Sequence, residues 1–309
     1  MLSTVNTIPL NDEGKEIMKR GTPGFPCNAY IGDIHNYIGG EISLHWHSEL
    51  EMFVLDEGMV QIIFADHSYV LQPGEGYFVN SDVLHRIICN TDQPCRYRSI
   101  VFDQSVISGR TGSVFDEKYV SPFVKGGASS WALNQRDAGS AAVISLFNAA
   151  FYACELEPKG YEFTVRDAMS KIIMLLNGHK EKQAVRVETM QEQRLKQMLN
   201  WIDEHYMDKV TVEHIADAAG ICVRECQRTF ATVIQDTPTR YLMRRRIAIA
   251  ADMLKSSNAA NSEICAQCGF ESQSYFTKQF RLIMGVTPKQ YQRNVRTNWQ
   301  TVTGSIHDI

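Results

Sequence analysis

The chain has 309 residues, 44% hydrophobic and 21% charged, with a formal net charge of −4 at pH 7. Such a length predicts about two domains, and the composition is that of a soluble protein with sizeable cores. The first twenty residues lack the basic and apolar regions of a signal peptide, and the longest uncharged run, Ala138 to Cys154, contains Ser and Asn and falls short of the roughly 20 apolar residues of a span, so a cytoplasmic protein with no membrane partner is expected.

Charge is unevenly distributed. Residues 190–300 carry 15 Lys+Arg against 11 Asp+Glu, the remainder 16 against 24. A basic end on an acidic protein points to one domain that meets a polyanion. Eight cysteines are too sparse for a disulfide scaffold, so reduced thiols are expected.

Residues 1–30 are polar and rich in turn formers and read as an N-terminal arm. Within 31–137, short apolar or alternating runs follow one another: Glu51–Leu55, Val60–Phe64, Tyr69–Leu71, Tyr77–Val79, Arg86–Cys89 and Tyr97–Phe102. Gly58, Pro73-Gly74 and Gln93-Pro94 punctuate them, the pattern of a small β-barrel or sandwich. Over 138–178 the period becomes helical: Val143, Phe147, Ala150, Phe151 and Cys154, then Val165, Met169, Ile172, Ile173 and Leu176, on either side of Pro158-Lys159-Gly160. An antiparallel helix pair is predicted. It offers more apolar face than one barrel needs, so one face is expected to serve a partner subunit in a homodimer, the alternative being that both pack on the barrel. Residues 179–193 are charged and weakly patterned, as a linker would be.

Residues 194–297 hold an internal repeat. Ile215 recurs as Ile264, Gly220 as Gly269, Phe230 as Phe280, Pro238 as Pro288 and Tyr241 as Tyr291, at a shift of 49 or 50. Each copy reads as a helix, a glycine turn, a second helix and a Pro-opened segment. Thr211 can N-cap the first helix, Gly220 supplies the positive φ of the turn, and the next helix buries Cys226 and Phe230 while Arg224, Gln227 and Arg228 face out. This is the helix-turn-helix plan, whose second helix can lie in the major groove, where Arg reads guanine and Gln reads adenine.

The run Ser262-Glu263-Ile264, then Gly269-Phe270-Glu271-Ser272-Gln273-Ser274-Tyr275-Phe276-Thr277-Lys278-Gln279-Phe280, then Gly285-Val286-Thr287-Pro288 and Tyr291, resembles the signature of AraC/XylS-type transcriptional regulators. Tyr241-Leu242, Arg246-Ile247, Ala250 and Leu254 look like the family's long connecting helix. The resemblance implies an α+β two-domain protein whose all-α C-terminal domain places two recognition helices in successive major grooves of double-stranded DNA. Carried over by position, Arg224, Gln227, Arg228, Gln273, Ser274 and Lys278 are base-facing candidates, and Arg244, Arg246, Thr287 and Lys289 are phosphate candidates. Three departures stand out: Cys222 replaces a capping Ser, Gln235 replaces the Gly that Gly285 supplies in the second copy, and Ala260-Asn261 replaces a cap-plus-apolar pair. Cys265 and Cys268 form a CxxC near Cys222 and Cys226, but the repeat places Cys226 and Cys265 in two different cores, so buried thiols are expected rather than zinc.

In the N-terminal part, Gly39, His45, His47, Glu51 and Gly58 give a Gly-x5-His-x-His-x3-Glu-x6-Gly spacing similar to the first cupin motif, and His85 stands where the second motif has its third His. Asn80 and Asp82 take the places of that motif's Pro and Gly. Three imidazoles and a carboxylate inside a barrel can bind a divalent transition metal, or they can hydrogen-bond an effector or one another. The combined resemblance implies a regulator with a cupin-like sensor barrel: His45, His47, Glu51 and His85 would line an effector pocket, a sugar or other catabolic metabolite would be the effector, and RNA polymerase a partner if it activates. The protein is expected not to be an enzyme, the rival being a metal-dependent cupin enzyme, such as a dioxygenase or isomerase, tethered to DNA.

Overall fold

A computed structural model describes residues 2–3, 21–89, 91, 93–178, 189–257 and 259–293. They form two compact units, one ending at Glu192 and the other beginning at Gln193.

Two sheets build the first unit. Six strands lie side by side in the order β1 (Leu2–Ser3), β2 (Cys27–Asp33), β9 (Arg96–Phe102), β4 (Leu50–Leu55), β7 (Gly76–Val79) and β10 (Ser130–Leu133). The other sheet runs β3 (Glu41–His45), β8 (His85–Cys89), β5 (Val60–Phe64) and β6 (Ser68–Leu71). The six runs read as strands from sequence all end where expected and begin at the expected residue or one before it. One correction concerns Cys27–Asp33, which falls partly in the segment read as an arm: it pairs along its whole length with Phe102–Arg96. Residues 4–20, the rest of that arm, lie outside the described residues.

Strand β4 shows how the layers form. Its six residues are all buried, because its alternate side chains enter different cores. Leu50, Met52 and Val54 face outward into a cluster with α3 (Ala138–Leu156) and α4 (Tyr161–Gly178). Phe53 and Leu55 face inward, into a cluster that joins Tyr77, Val79 and Tyr97 of one sheet to Ile42, Ile62, Phe64 and Ile87 of the other. The short helices α1 (Ser105–Ser108) and α2 (Ser121–Gly126) add Val106, Ile107 and Phe123 to the outer cluster.

All ten residues of the two helical periods are buried in that same outer cluster. The faces read from sequence are therefore consumed within the chain, each large side chain contributing roughly 1.5–3 kcal/mol of burial. What remains for a partner is the opposite side, where Tyr152, Leu156, Phe163 and Met174 are exposed. Helix α3 is long and apolar enough to cross a membrane by composition, but its apolar stripe is buried core. A disulfide joins Cys89 to Cys95, contrary to the expectation of reduced thiols throughout.

The second unit is helical. It comprises α5 (Met190–His205), α6 (Val212–Ala218), α7 (Val223–Thr229) extended by a π turn over Phe230–Ile234, α8 (Pro238–Ser256), α9 (Asn261–Gln267) and α10 (Gln273–Met284). Met190–Gln193, read as the end of the linker, open α5, and residues 179–188 lie outside the described residues. Thr211 caps α6 through the His214 N–H, and Gly220 and Gly269 take left-handed φ values of +62° and +73° in the two turns. The connecting helix α8 is fastened to α5 by a buried ion pair, Arg245 Nε to Asp203 Oδ1 at 2.6 Å.

Candidate functional site

The sheets of the first unit bring His45, His47, Glu51 and His85 together with one ligand atom from each within 4.8 Å of the others. Two pairings build the site: His45 sits opposite His85 across β3 and β8, and Glu51 opposite Val79 across β4 and β7. A register shift falls between Ile42 and His45, which ends β3, and His47 lies just beyond the strand, so the two rings meet at a strand end and not along a regular strand face. Asp82 holds φ at +57° where the cupin pattern has Gly, and its N–H donates to the His47 carbonyl at 2.8 Å. Asn80 is a wholly buried brace whose amide nitrogen donates to the carbonyls of Phe123 and Ala128.

The second ring nitrogens fix the chemistry. Nδ1 of His45 donates to the Ser43 carbonyl (2.8 Å), that of His47 to the Glu49 carbonyl (3.1 Å) and that of His85 to the Val83 carbonyl (2.9 Å). With Nδ1 so engaged, each ring turns Nε2 to the cluster, where it donates when protonated and offers a lone pair when not. Nε2 of His47 and of His85 each stand 3.2 Å from Glu51 Oε2. Lone pairs facing a carboxylate oxygen at that distance repel unless a proton or a cation sits among them. Nδ1–H bound to a carbonyl with Nε2 turned inward is the usual arrangement of metal-binding histidines, and three imidazoles with one carboxylate suit a divalent transition metal. The four residues can hold such an ion.

Burial pushes His45 well below the ordinary histidine range, and a proton on either neighbouring imidazole would push it the same way. Burial acts to raise the Glu51 carboxyl, but hydrogen bonds from His47 and His85 outweigh it and hold the group well below its usual range. Tyr77, not among the residues picked from sequence, belongs with this site. Its hydroxyl is buried without a hydrogen-bond partner, and burial together with the Glu51 charge raises its pKa well above the usual phenol value. Its ring stacks on Phe53, which stacks in turn on Tyr97. The strand alternation that turns Glu51 inward could have identified it. A second donor group, His35, Cys89 and Cys95, has its two sulfurs bonded to one another.

In the second unit, Arg224, Gln227 and Arg228 are exposed on α7, above buried Cys226, and Gln273, Ser274 and Lys278 are exposed on α10, above buried Phe276. Arg228 leans on Glu225 at 3.4 Å, an exposed pair of little energetic weight. Arg281, unread from sequence, is exposed one further turn along the face of Ser274 and Lys278. Lys289 is exposed, Arg244 is half-buried 3.4 Å from Asp236, and the Thr287 hydroxyl donates to Gln290. Arg246, expected to meet phosphate, donates Nε to the Tyr206 carbonyl and Nη2 to the Asp208 carbonyl, both at 2.7 Å, tying down the chain after α5. Cys226, Cys265 and Cys268 are free, buried thiols and Cys222 is exposed, and the four form no metal-ligand group among the described residues.

Residues 215–294 match the model of a helix-turn-helix domain and residues 37–101 that of a cupin domain. The HTH-type transcriptional regulator YdeC of Bacillus subtilis is 29% identical over 289 residues, spanning 90% of this chain and 96% of that one. The HTH-type transcriptional activator RhaS of Citrobacter koseri is 23% identical, over 81% of this chain and 87% of its own. The crystal structure of ToxT from Vibrio cholerae is similar over 88% of this chain and 98% of its own, at 13% identity and a TM-score of 0.45. With both domain types and the landmarks of the repeat in place, the chain belongs to the AraC/XylS family of DNA-binding transcriptional regulators and carries an N-terminal cupin domain.

Proposed function

We propose that this regulator reads DNA through α7 and α10 and that a small molecule in the cupin unit controls the reading. The observation that carries the effector reading is the Tyr77 hydroxyl, buried without a partner in the core that also receives Glu51. Leaving such a group unsatisfied costs about 1–3 kcal/mol, and a bound polar molecule would satisfy it. Hydroxyl-bearing ligands such as sugars or other catabolic metabolites match a site of phenol, imidazole and carboxylate. A divalent metal held by His45, His47, His85 and Glu51 would supply a Lewis-acidic anchor for a ligand oxygen. Tyr77 would orient the ligand, and the Tyr97–Phe53–Tyr77 stack would exclude water from one side.

Strand β9 offers a route outward. Tyr97 faces the inner core, and its neighbour Arg98 forks onto Asp56 (2.8 and 2.9 Å) and reaches Asn148 of α3 at 2.9 Å. A ligand that binds two arrangements of Tyr97 unequally would thereby bias the helix pair. The exposed Tyr152, Leu156, Phe163 and Met174 are the face through which a homodimer would form. The domain limits proposed are 31–137 for the sensor, 138–178 for the helix pair, 179–193 for the linker and 194–297 for the DNA reader, in a cytoplasmic protein without enzymatic activity. RNA polymerase would be a further partner of an activating form.

Native mass spectrometry of tag-free, full-length protein purified without chelator tests this reading. The expected result is a dimer carrying extra mass that is lost on denaturation, its value separating metal from organic effector. A clean polypeptide mass, with no thermal shift from divalent metals or sugars, would overturn the effector reading.

A further inference from the structure

Cys89 ends β8 of the four-stranded sheet, and Cys95 immediately precedes β9 of the six-stranded sheet. Their disulfide clasps the two sheets at the connection between them. The two sulfurs are unequal. Cys95 is wholly buried, whereas Cys89 is half-buried, with its Sγ 3.8 Å from Nε2 and 4.0 Å from Nδ1 of the exposed His35. Nδ1 of His35 stands 3.2 Å from Asp33 Oδ1, and Nε2 stands 2.9 Å from the Thr91 carbonyl oxygen. Both nitrogens face acceptors, so a doubly protonated, cationic ring is fully partnered beside the Cys89 sulfur.

The thiol state is provided for as well. Cys89 Sγ lies 3.5 Å from the Thr91 carbonyl oxygen and Cys95 Sγ 3.5 Å from that of Met59, acceptors that S–H groups would meet. The backbone of Cys95 is held without the bond, its N–H donating to Asp33 Oδ1 (3.2 Å) and its carbonyl accepting from the Ile34 N–H (3.0 Å). Gly58 leaves the space the sulfur needs, since a Cβ there would come within 2.8 Å of Cys95 Sγ. One backbone frame therefore accommodates both redox states. A DNA-binding regulator works where thiols are kept reduced, and disulfides formed there are usually transient and redox-sensing.

We propose that Cys89 and Cys95 form a reversible thiol–disulfide switch in the cupin unit, with His35 as the positioning cation and hydroperoxides as the oxidant. The accessible Cys89 thiolate attacks the distal peroxide oxygen. An S–O bond forms as the O–O bond breaks, and the hydroxide released takes up the thiol's proton as water. The Cys95 sulfur then attacks the Cys89 sulfenic acid, the S–S bond forms, the S–O bond breaks and a second water leaves with the Cys95 proton. Two thiols and one hydrogen peroxide thus give one disulfide and two waters. External thiols reverse the switch by attack on Cys89, with Cys95 as leaving group. Closure fixes the end of β8, the strand that opens with His85, to the start of β9, which carries Tyr97. The proposal rests on the regulator assignment for its compartment and on nothing assumed about the effector.

The test uses the full-length protein, reduced, desalted and exposed to one equivalent of hydrogen peroxide, with alkylation and peptide mass analysis as readout. Cys89 and Cys95 are expected to be lost together from the alkylatable pool and restored by dithiothreitol without denaturant. Cys95→Ser should stop at a dimedone-reactive sulfenic acid on Cys89. Should that variant misfold, the surface substitution His35→Ala still decides, slowing oxidation by about tenfold, with His35→Lys recovering most of the rate because a cation is what is required. The proposal is overturned if both cysteines remain alkylatable after peroxide, if the native bond resists millimolar dithiothreitol, or if the reduced trio takes up zinc instead.

Discussion

His45 and His85 face one another across the β3–β8 pairing with their ring centroids 4.2 Å apart, closer than either stands to His47. Two rings so placed, each with Nδ1 bound to a carbonyl, direct both Nε2 atoms into one cluster. Glu51 brings the negative charge that a cation there would balance. Glu51→Gln removes that charge while keeping the shape, and should weaken uptake of cobalt or nickel by about 10–100-fold. His85→Ala should abolish it. Titration calorimetry on chelator-stripped protein reads both, and equal affinity in wild type and Glu51→Gln would remove the metal reading.

Arg98, next to Tyr97 on β9, ties that strand to helix α3 through one side chain. It forks onto Asp56, reaches Asn148 and lies over the rings of Phe147, Phe151 and Tyr152 at 5.2–5.8 Å. A lysine there keeps the charge but loses the fork and the planar stacking. Arg98→Lys should cost about 2 kcal/mol of stability, measured by urea denaturation, and should reduce any effector-induced change in DNA affinity. An unchanged effector response would place the coupling elsewhere.

Arg228 and Lys278 lie on the two helices proposed to enter successive major grooves. Arg228→Ala and Lys278→Ala should each relax preference at one base pair, at about 1–3 kcal/mol of discrimination, whereas Lys289→Ala should weaken binding to all sequences alike and lower the salt slope by about one. Selection from random DNA followed by binding at two salt concentrations distinguishes these outcomes. Identical specificity in all three variants would sink the assignment.

Much of this was legible in sequence for a specific reason. Strands such as Val60–Phe64 sit between strong turn formers, and the repeat of Gly220 with Gly269 marks two identical backbone requirements. Cys27–Asp33 was not legible, because Asn28, Gly32 and Asp33 have poor strand propensity and the strand is fixed by pairing with β9. Nor was Ser130–Leu133, four residues at a sheet edge. Residue type alone also did not reveal that Arg246 binds the carbonyls of Tyr206 and Asp208, because a backbone partner 38 to 40 residues away leaves no local pattern.

The missing cap at Cys222 is measurable. Ser272 caps α10 by accepting from the Tyr275 N–H, whereas Cys222, at the equivalent position of α7, makes no side-chain cap bond. Cys222→Ser should supply one and stabilise the helical unit by about 0.5–1 kcal/mol, seen as a higher urea midpoint at unchanged slope. A lower midpoint would show that the thiol makes a contact the hydroxyl cannot replace.

The buried thiols of that unit set its alkaline limit. Burial pushes the Cys226 thiol up to about 11, and burial together with Cys265 pushes Cys268 up to about 12. Burial likewise raises the Tyr291 phenol to about 12. An unfolded thiol ionises near about 8.5. Above that pH the unfolded chain has released protons that the native chain still holds, so stability falls as pH rises. The stabilisation is complete below about 8.5 and is lost progressively toward the native values. In reductant, unfolding free energy should therefore be level from pH 7 to 8 and decline by pH 10, with a shallower decline in Cys268→Ala. At pH 8 an alkylating reagent should reach exposed Cys222 at once and Cys226, Cys265 and Cys268 only on unfolding. Prompt labelling of Cys268 in the folded protein, or an alkaline slope untouched by its removal, would show that these thiols are not the neutral core side chains their burial makes them.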